Sequence, residues 1–112
     1  MNYSIVIPLY NESENINQLN SELLKALSDS EITNNQFEII YVNDGSTDNT
    51  LNLLKEFNNN IKTIILENNS NLAQSKSILN GIEVSNYNNI ILLDGDLQSD
   101  PKDIKKMIDV YN

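Results

Sequence analysis

The chain has 112 residues, a formal net charge of −9, 7 basic residues, and neither cysteine nor histidine. This length fits one compact domain, and the missing residue types exclude a disulfide framework, a zinc–thiolate site, a thiol nucleophile and a histidine base. The acidic balance argues against a nucleic-acid partner, which needs clustered Lys and Arg to neutralise phosphates. No apolar run reaches the length of about 20 residues that spans a bilayer, and the N-terminus lacks the basic start of a signal peptide, so we expect a cytoplasmic protein with no membrane span.

The first two predicted structural units each consist of an apolar strand followed by an amphipathic helix. Strand one covers Tyr3 to Leu9, and the helix after it carries apolar residues on one face, namely Ile16, Leu19, Leu23 and Leu27. Strand two covers Phe37 to Val42, and its helix begins at the polar run from Ser46 to Asp48. One of the two hydroxyl residues of that run, Ser46 or Thr47, is the expected N-cap.

The next two units repeat this pattern. Strand three covers Ile61 to Leu66, and its helix runs from about Ala73 to Val84 with three apolar residues facing inward, Ile78, Leu79 and Ile82. Strand four covers Ile90 to Leu93, and a last helix begins with Asp100 as N-cap. The alternation of strands and helices predicts an α/β fold with a parallel, Rossmann-like sheet, and four strands without a closing element have the appearance of half a domain.

Two carboxylates follow the fourth predicted strand, at the edge where parallel sheets bind ligands. Asp94 and Asp96 are separated by a single glycine, and such a pair can hold a hard divalent cation while Gln98 adds a neutral oxygen ligand. The alternative is that these are ordinary turn residues, since Asp and Gly are favoured in turns generally. From these residues alone both interpretations stay open.

Single residues after strands one and two carry weaker signals. Tyr10 can stack on a base, Glu12 can accept a hydrogen bond from a base or a ribose, and Asp44 can accept one from a nucleobase imide. The ordinary interpretation of Tyr10 and Glu12 is a surface position at the start of a helix, where an acidic side chain suits the dipole. For Asp44 it is a turn before the second helix. Taken singly, the ordinary interpretations are favoured.

Three segments, however, occur together in a defined order: Pro-Leu-Tyr-Asn-Glu at 8–12, Val-Asn-Asp-Gly-Ser-Thr-Asp at 42–48, and Leu-Asp-Gly-Asp-Leu-Gln-Ser-Asp-Pro at 93–101. Their order and spacing resemble glycosyltransferase family 2, which has the GT-A fold. The last segment is similar to the polyprenyl-phosphate glycosyltransferases and dolichol-phosphate mannose synthases in particular. The resemblance covers essentially the whole chain. It implies an inverting, metal-dependent transfer of a sugar from a UDP- or GDP-linked donor to a polyprenyl phosphate or a glycan.

The resemblance also implies roles for individual residues. Nucleotide contacts are expected from Pro8, Tyr10, Glu12, Asp44 and Asp94. Ligands for Mg²⁺ or Mn²⁺ are expected at Asp94, Asp96 and Gln98. The segment 71–75 corresponds to a stretch near the sugar and diphosphate, although Ala73 stands where the family commonly has glycine. No catalytic residue is identified, because the family's acceptor residues follow these motifs. Residues 1–112 are therefore expected to be the donor-binding N-terminal part, with the acceptor-binding half absent.

Three other functions are compatible with an α/β sheet. A non-catalytic nucleotide-binding or regulatory module, acting with a partner chain, is the main alternative. A phospho-acceptor receiver domain expects an acidic pair after strand one and a Lys after a fifth strand, and the sequence has neither. A dinucleotide-binding unit is disfavoured because no Gly-x-Gly-x-x-Gly motif follows strand one.

Overall fold

The computed structural model describes residues 2–29, 36–70 and 74–93, and within these ranges four strands alternate with three helices. The strands are β1 (Tyr3–Leu9), β2 (Phe37–Asp44), β3 (Lys62–Asn68) and β4 (Asn89–Leu92). The helices are α1 (Ile16–Ser28), α2 (Thr50–Lys55) and α3 (Gln74–Val84). All four predicted strands are confirmed. The predicted helix after Asp100 lies outside the described residues.

The four strands form one parallel sheet in the order β3-β2-β1-β4. The chain passes outward from β1 to β3 and then crosses back, so that β4 pairs with the other side of β1. The strand order therefore reverses beside β1, which is where open α/β sheets form a crevice beyond the carboxyl ends of their strands. The predicted α/β class and parallel sheet are confirmed.

The larger core lies on the face of the sheet that α1 and α2 cover. Alternate strand residues point to this face, as the twofold periodicity of a strand requires. Its strand residues include Tyr3, Ile5, Ile7, Phe37, Ile39 and Tyr41, all buried. Helix α1 contributes Ile16, Leu19, Leu23 and Leu27, each fully buried. The face predicted for this helix is confirmed.

Helix α3 covers the opposite face, but it turns a different side to the sheet from the one that the apolar pattern predicted. Leu79 and Ile82 were expected to face inward, and this is wrong, because they are 60% and 38% exposed. The physical reason is the close approach of Gly81, where an added Cβ would lie 2.5 Å from Val6 Cγ1 and 3.1 Å from Val42 Cγ2. The helix therefore packs its small residues, Gly81 and the buried Ser77, against the sheet.

A buried carboxylate joins the amino-terminal ends of the strands. Glu38, the second residue of β2, has a fully buried side chain. Its Oε2 accepts hydrogen bonds from Ser4 Oγ and from the backbone N–H of Asn86, both at 2.6 Å, and its Oε1 accepts one from Asn86 Nδ2 at 2.9 Å. Lys62 Nζ lies 3.8 Å from Oε1. Burial alone raises the pKa of the Glu38 carboxyl, but these bonds and Lys62 outweigh it and hold that pKa below its ordinary value.

Among the helices of the described ranges, none combines the length and the apolar character needed to cross a bilayer.

Candidate functional site

The candidate site lies at the carboxyl edge of the sheet, where the loops after β1 and β2 meet the end of β3. The register pairs Leu9 with Asn43, so Tyr10 and Asp44 are the next residues along two neighbouring strands. Asp44 is in turn paired with Asn68, the last residue of β3. Polar side chains from three strand ends therefore share one edge of the sheet, as the sequence analysis predicted for strands one and two.

Four of the predicted nucleotide contacts lie at this edge. Pro8 is half-buried in β1 beside Val42, and Tyr10 is 43% exposed, which leaves room for a base to stack on its ring. Glu12 is half-buried, and its Oε2 accepts a hydrogen bond from Asn15 Nδ2 at 3.2 Å. Asp44 is only 4% exposed. Their roles toward a nucleotide stay predictions.

Asn11 forms one half of a hydrogen-bond clamp between the loop after β1 and the loop after β2. Its φ of 52° lies in the left-handed region, which Asn adopts more readily than most residues. Asn11 Oδ1 accepts hydrogen bonds from the backbone N–H of Thr47 at 2.8 Å and of Asp48 at 3.3 Å. The backbone N–H of Asn11 donates to Ser46 Oγ at 2.9 Å. The motif containing Asn11 was noted in the sequence, but this role was not predicted.

Asp48 forms the other half of the clamp. Its Oδ2 accepts a hydrogen bond from the backbone N–H of Ser13 at 3.2 Å, and its Oδ1 accepts one from the backbone N–H of Thr50 at 3.0 Å and another from the Thr50 hydroxyl. The Thr50 hydroxyl itself accepts from the backbone N–H of Glu12 at 2.9 Å. Burial alone raises the pKa of the Asp48 carboxyl, but the bonds from Thr50 and Ser13 outweigh it and lower that pKa to about 2.

The clamp also corrects the predicted start of the second helix. Helix α2 begins at Thr50, its N-cap position is Asn49, and neither Ser46 nor Thr47 caps it. The reason is that both hydroxyls serve other contacts: Ser46 donates to Asn43 Oδ1 at 2.5 Å, and Thr47 donates to Asn11 Oδ1 at 3.4 Å. The hydroxyl groups of the polar run that follows β2 therefore form hydrogen bonds in the loop, and the helix begins only after that run.

Replacing Asn11 by alanine is expected to lower the free energy of unfolding by about 1–3 kcal/mol. The variant loses the acceptor of two backbone N–H groups and places a side chain with a Cβ, but no compensating bond, at positive φ. Urea unfolding of three variants separates these effects. Asn11→Asp keeps the acceptor and should resemble the parent, and Asn11→Gly should lose the acceptor without the strain. A glycine variant less stable than the alanine variant would contradict this account.

Asn68 is a site residue that its sequence context did not predict. Its Nδ2 donates to Asp44 Oδ1 at 3.0 Å and to Ser77 Oγ at 3.1 Å, and its Oδ1 accepts from Asn80 Nδ2 at 3.3 Å. This orientation of the amide follows from Asp44, because a carboxylate oxygen accepts hydrogen bonds and requires a donor opposite it. The available signal was position alone, since Asn68 ends a strand that neighbours the strand of Asp44.

The predicted metal ligands Asp94, Asp96 and Gln98 lie outside the described residues, as does most of the segment 71–75. The last described residue, Leu93, donates its backbone N–H to Val6 O at 3.1 Å. In the part of the chain that the structure describes, no group of three acidic side chains is placed to hold a metal ion. The oxygen donors that follow Leu93 in the sequence are of the types that Mg²⁺ and Mn²⁺ bind.

Comparison with known proteins gives a family match over nearly the whole chain. The model of the family described as glycosyl transferase family 2 matches residues 4–112. An uncharacterized glycosyltransferase of Synechocystis is 38% identical over 96% of this chain and 33% of its own. The undecaprenyl-phosphate 4-deoxy-4-formamido-L-arabinose transferase of Proteus mirabilis is 36% identical over 94% of this chain and 32% of its own. The chain thus spans about a third of the length of these curated relatives.

Solved structures share the fold. TarS 1–349 of S. aureus, in complex with UDP-GlcNAc, is similar with a TM-score of 0.75 and 22% identity, over 99% of this chain and 31% of that one. A mannosyltransferase from Pyrobaculum calidifontis, in complex with GDP-Man and Mn²⁺, is similar with a TM-score of 0.72 and 16% identity, over 84% of this chain and 27% of that one. At these identities the likeness establishes the α/β fold of the chain.

Proposed function

This chain belongs to glycosyl transferase family 2, and we propose that it supplies the donor-binding part of an enzyme that transfers a sugar from a nucleoside-diphosphate sugar. The observation that carries the proposal is the buried Asp44 carboxylate at the carboxyl edge of the sheet, at the end of the strand that neighbours β1, after which the exposed Tyr10 follows. Residues 1–112 are proposed to be the N-terminal, nucleotide-binding part of the transferase domain.

The base is proposed to bind against the loops that the clamp joins. Asp44 accepts a hydrogen bond from the ring N–H of uracil or guanine, and Tyr10 stacks on the ring. Glu12 accepts from the base or the ribose, while Pro8 lines the same pocket. The complexes of TarS with UDP-GlcNAc and of the Pyrobaculum mannosyltransferase with GDP-Man support both bases as candidates.

The diphosphate is proposed to bind beyond β4 through a divalent cation. Asp94, Asp96 and Gln98 would hold Mg²⁺ or Mn²⁺, which supplies positive charge to stabilise the departing nucleoside diphosphate. Asp94 is also proposed to contact the ribose. The Mn²⁺ complex of the Pyrobaculum mannosyltransferase supports a cation in this fold. Transfer is proposed to occur with inversion, since an acceptor oxygen attacks the anomeric carbon in a single displacement.

A polyprenyl phosphate is the acceptor we propose, with a glycan as the second candidate. The observation that favours the first is the 36% identity to a transferase named for undecaprenyl phosphate. A phosphate oxygen is already nucleophilic, so this acceptor does not require a strong base among the residues of this chain. Such a reaction is proposed to take place at the cytoplasmic face of the membrane.

The main alternative is a non-catalytic nucleotide-binding module that acts with a partner chain. Both functions predict nucleotide binding, so binding alone does not separate them. Sugar transfer by the full-length protein that contains this segment does separate them, because the module predicts none. The transferase is favoured by the identity of the relatives, both of which are named as transferases.

A nucleoside diphosphate is expected to bind this chain in the presence of Mn²⁺ or Mg²⁺ and much more weakly after chelation, because the cation would supply the positive charge that offsets repulsion between the carboxylates and the phosphates. Isothermal titration calorimetry with UDP and GDP measures both affinities. If neither nucleotide binds, or if one binds equally well with chelator, the metal-bridged donor site is wrong.

Two matched variants locate the site in the same titrations. Asp96→Asn keeps size and turn propensity but removes the charge that attracts a cation, and it should cost about 1–3 kcal/mol of binding free energy with metal present. Asp44→Asn should weaken binding with or without metal, because it acts on the base. Variants that both bind like the parent would show that these two strand ends do not form the site.

A further inference from the structure

Asp44 and Asn68 occupy equivalent positions at the ends of neighbouring strands. They are paired in the register of β2 and β3, so their side chains leave the same face of the sheet. That face is the one covered by α3. The hydrogen bond of 3.0 Å from Asn68 Nδ2 to Asp44 Oδ1 is therefore a lateral contact between two strand ends, made directly beneath the helix.

The Asn68 amide has a hydrogen-bond partner for each of its two N–H groups and for its carbonyl oxygen. One N–H donates to Asp44, the other donates to the buried Ser77, and the carbonyl oxygen accepts from Asn80. Ser77 and Asn80 are three residues apart, so they lie on one face of α3. Gly81 lies on the same side of the helix and permits its close approach to Val6. Rotation of the amide would break the bonds to the helix as well as the bond to Asp44.

The orientation of a carboxylate is normally loose. The last torsion of an Asp side chain is broad, so a carboxylate at a strand end samples a wide range of orientations unless a partner restrains it. The bond from Asn68 supplies such a restraint at Oδ1. Because Asn68 is itself tied to α3, the position of the helix fixes the plane of the Asp44 carboxylate.

We propose that Asn68 is a positioning residue that holds the Asp44 carboxylate in the orientation from which it accepts a hydrogen bond from the ring N–H of uracil or guanine. This inference rests on the proposed function, in which Asp44 contacts the base. The expected consequence is base selectivity. Uracil and guanine present a ring N–H to such a carboxylate, whereas the corresponding ring nitrogen of cytosine is an acceptor, so a fixed carboxylate favours UDP and GDP over CDP.

The test measures selectivity by calorimetric titration of UDP, GDP and CDP with Mn²⁺ present. Asn68→Ala is expected to weaken the binding of the preferred nucleotide by about 5- to 20-fold. This is part of the roughly 10- to 150-fold that a whole hydrogen bond to a charged group contributes, because the bond from the base is misaligned rather than removed. Its affinity for CDP should change less than about 2-fold by the same reasoning. If Asn68 had only a structural role, its replacement would weaken the binding of all three nucleotides by a similar factor.

The matched control is Ser77→Ala, which removes the other acceptor of the same amide and leaves the bond to Asp44 in place. It should lower the selectivity less than Asn68→Ala does, because Asn80 still holds the amide to α3, and thermal melts report the stability of both variants. If Asn68→Ala does not fold, Asn68→Ser is titrated in its place, because its short hydroxyl side chain keeps a polar group at the strand end but lacks the reach of the amide.

The outcomes separate this inference from the proposed function. If the parent binds UDP or GDP and Asp44→Asn weakens that binding, the proposed base site stands. Unchanged selectivity in the Asn68 variant then overturns the positioning role alone. If the parent binds no nucleoside diphosphate, or if Asp44→Asn binds like the parent, the base site and the role of Asn68 are both wrong.

Discussion

Replacing Glu38 by alanine is expected to lower the free energy of unfolding by about 3–5 kcal/mol. The buried Ser4 hydroxyl is left without its acceptor, and each hydrogen bond lost to the charged carboxylate contributes about 1.5–3 kcal/mol before the cost of burying that charge is subtracted. The Ser4 hydroxyl and two N–H groups of Asn86 would lose their acceptor. Urea unfolding followed by circular dichroism measures the loss. Glu83→Ala is the matched control, since Glu83 is an exposed glutamate of α3 and its removal should change stability by less than about 0.5 kcal/mol.

The pH dependence of stability gives a second measurement on the same residue. The pKa of the Glu38 carboxyl is lower in the folded protein than its ordinary value of 4.5. Its contribution is therefore fully present above pH 4.5 and is lost as the pH falls through the folded pKa. Glu38→Gln cannot titrate, so its stability should fall less steeply below pH 4.5 than that of the parent. Parallel curves for parent and variant would contradict the assigned role.

Replacing Gly81 by alanine is expected to destabilise the protein by about 3 kcal/mol, because the added methyl group overpacks the core. In an exposed helix interior, by contrast, replacing glycine by alanine usually stabilises the helix by about 1 kcal/mol. The added Cβ would lie 2.5 Å from Val6 Cγ1, a buried and β-branched side chain that cannot easily move away. Chemical denaturation measures the change. The double variant Val6→Ala with Gly81→Ala removes the clashing atom and should be more stable than the two single effects predict. A stabilised Gly81→Ala would show that α3 stands further from the sheet.

Strand β1 and helix α1 were predictable because burial and apolar character largely coincide in them. Leu19 and Leu23 recur at helical spacing and are fully buried. In α3 this coincidence fails, since the side that touches the sheet consists of Gly81 and Ser77 while Leu79 is exposed. The spacing of apolar residues indicates that such a segment is a helix. It does not identify a buried face that consists of small residues. The end of β2 was predicted too early, at Val42, because the last two residues of the strand are polar.

The sequence motifs of the candidate site were predictable, but the hydrogen bonds that join them were not. The segments that contain Tyr10 and Asp44 were recognised from residue types and spacing, and the family assignment that rested on them is confirmed. The contacts of Asn11 with Thr47 and Asp48 join residues 36 and 37 positions apart, and they depend on the register of β1 with β2. Neither local propensity nor spacing encodes that register. Asn68 was missed because its partner lies on another strand.

Because of the clamp, the loops after β1 and β2 lose conformational entropy when the chain folds and not when a ligand binds. Asn11 and Asp48 hold both loops through bonds that form when the chain folds, so the loops are ordered before any ligand arrives. A ligand that binds there does not have to order them again, and more of its interaction energy is retained as affinity. The loops are thus preorganised, and association at this edge should be closer to a lock-and-key encounter than to an induced fit.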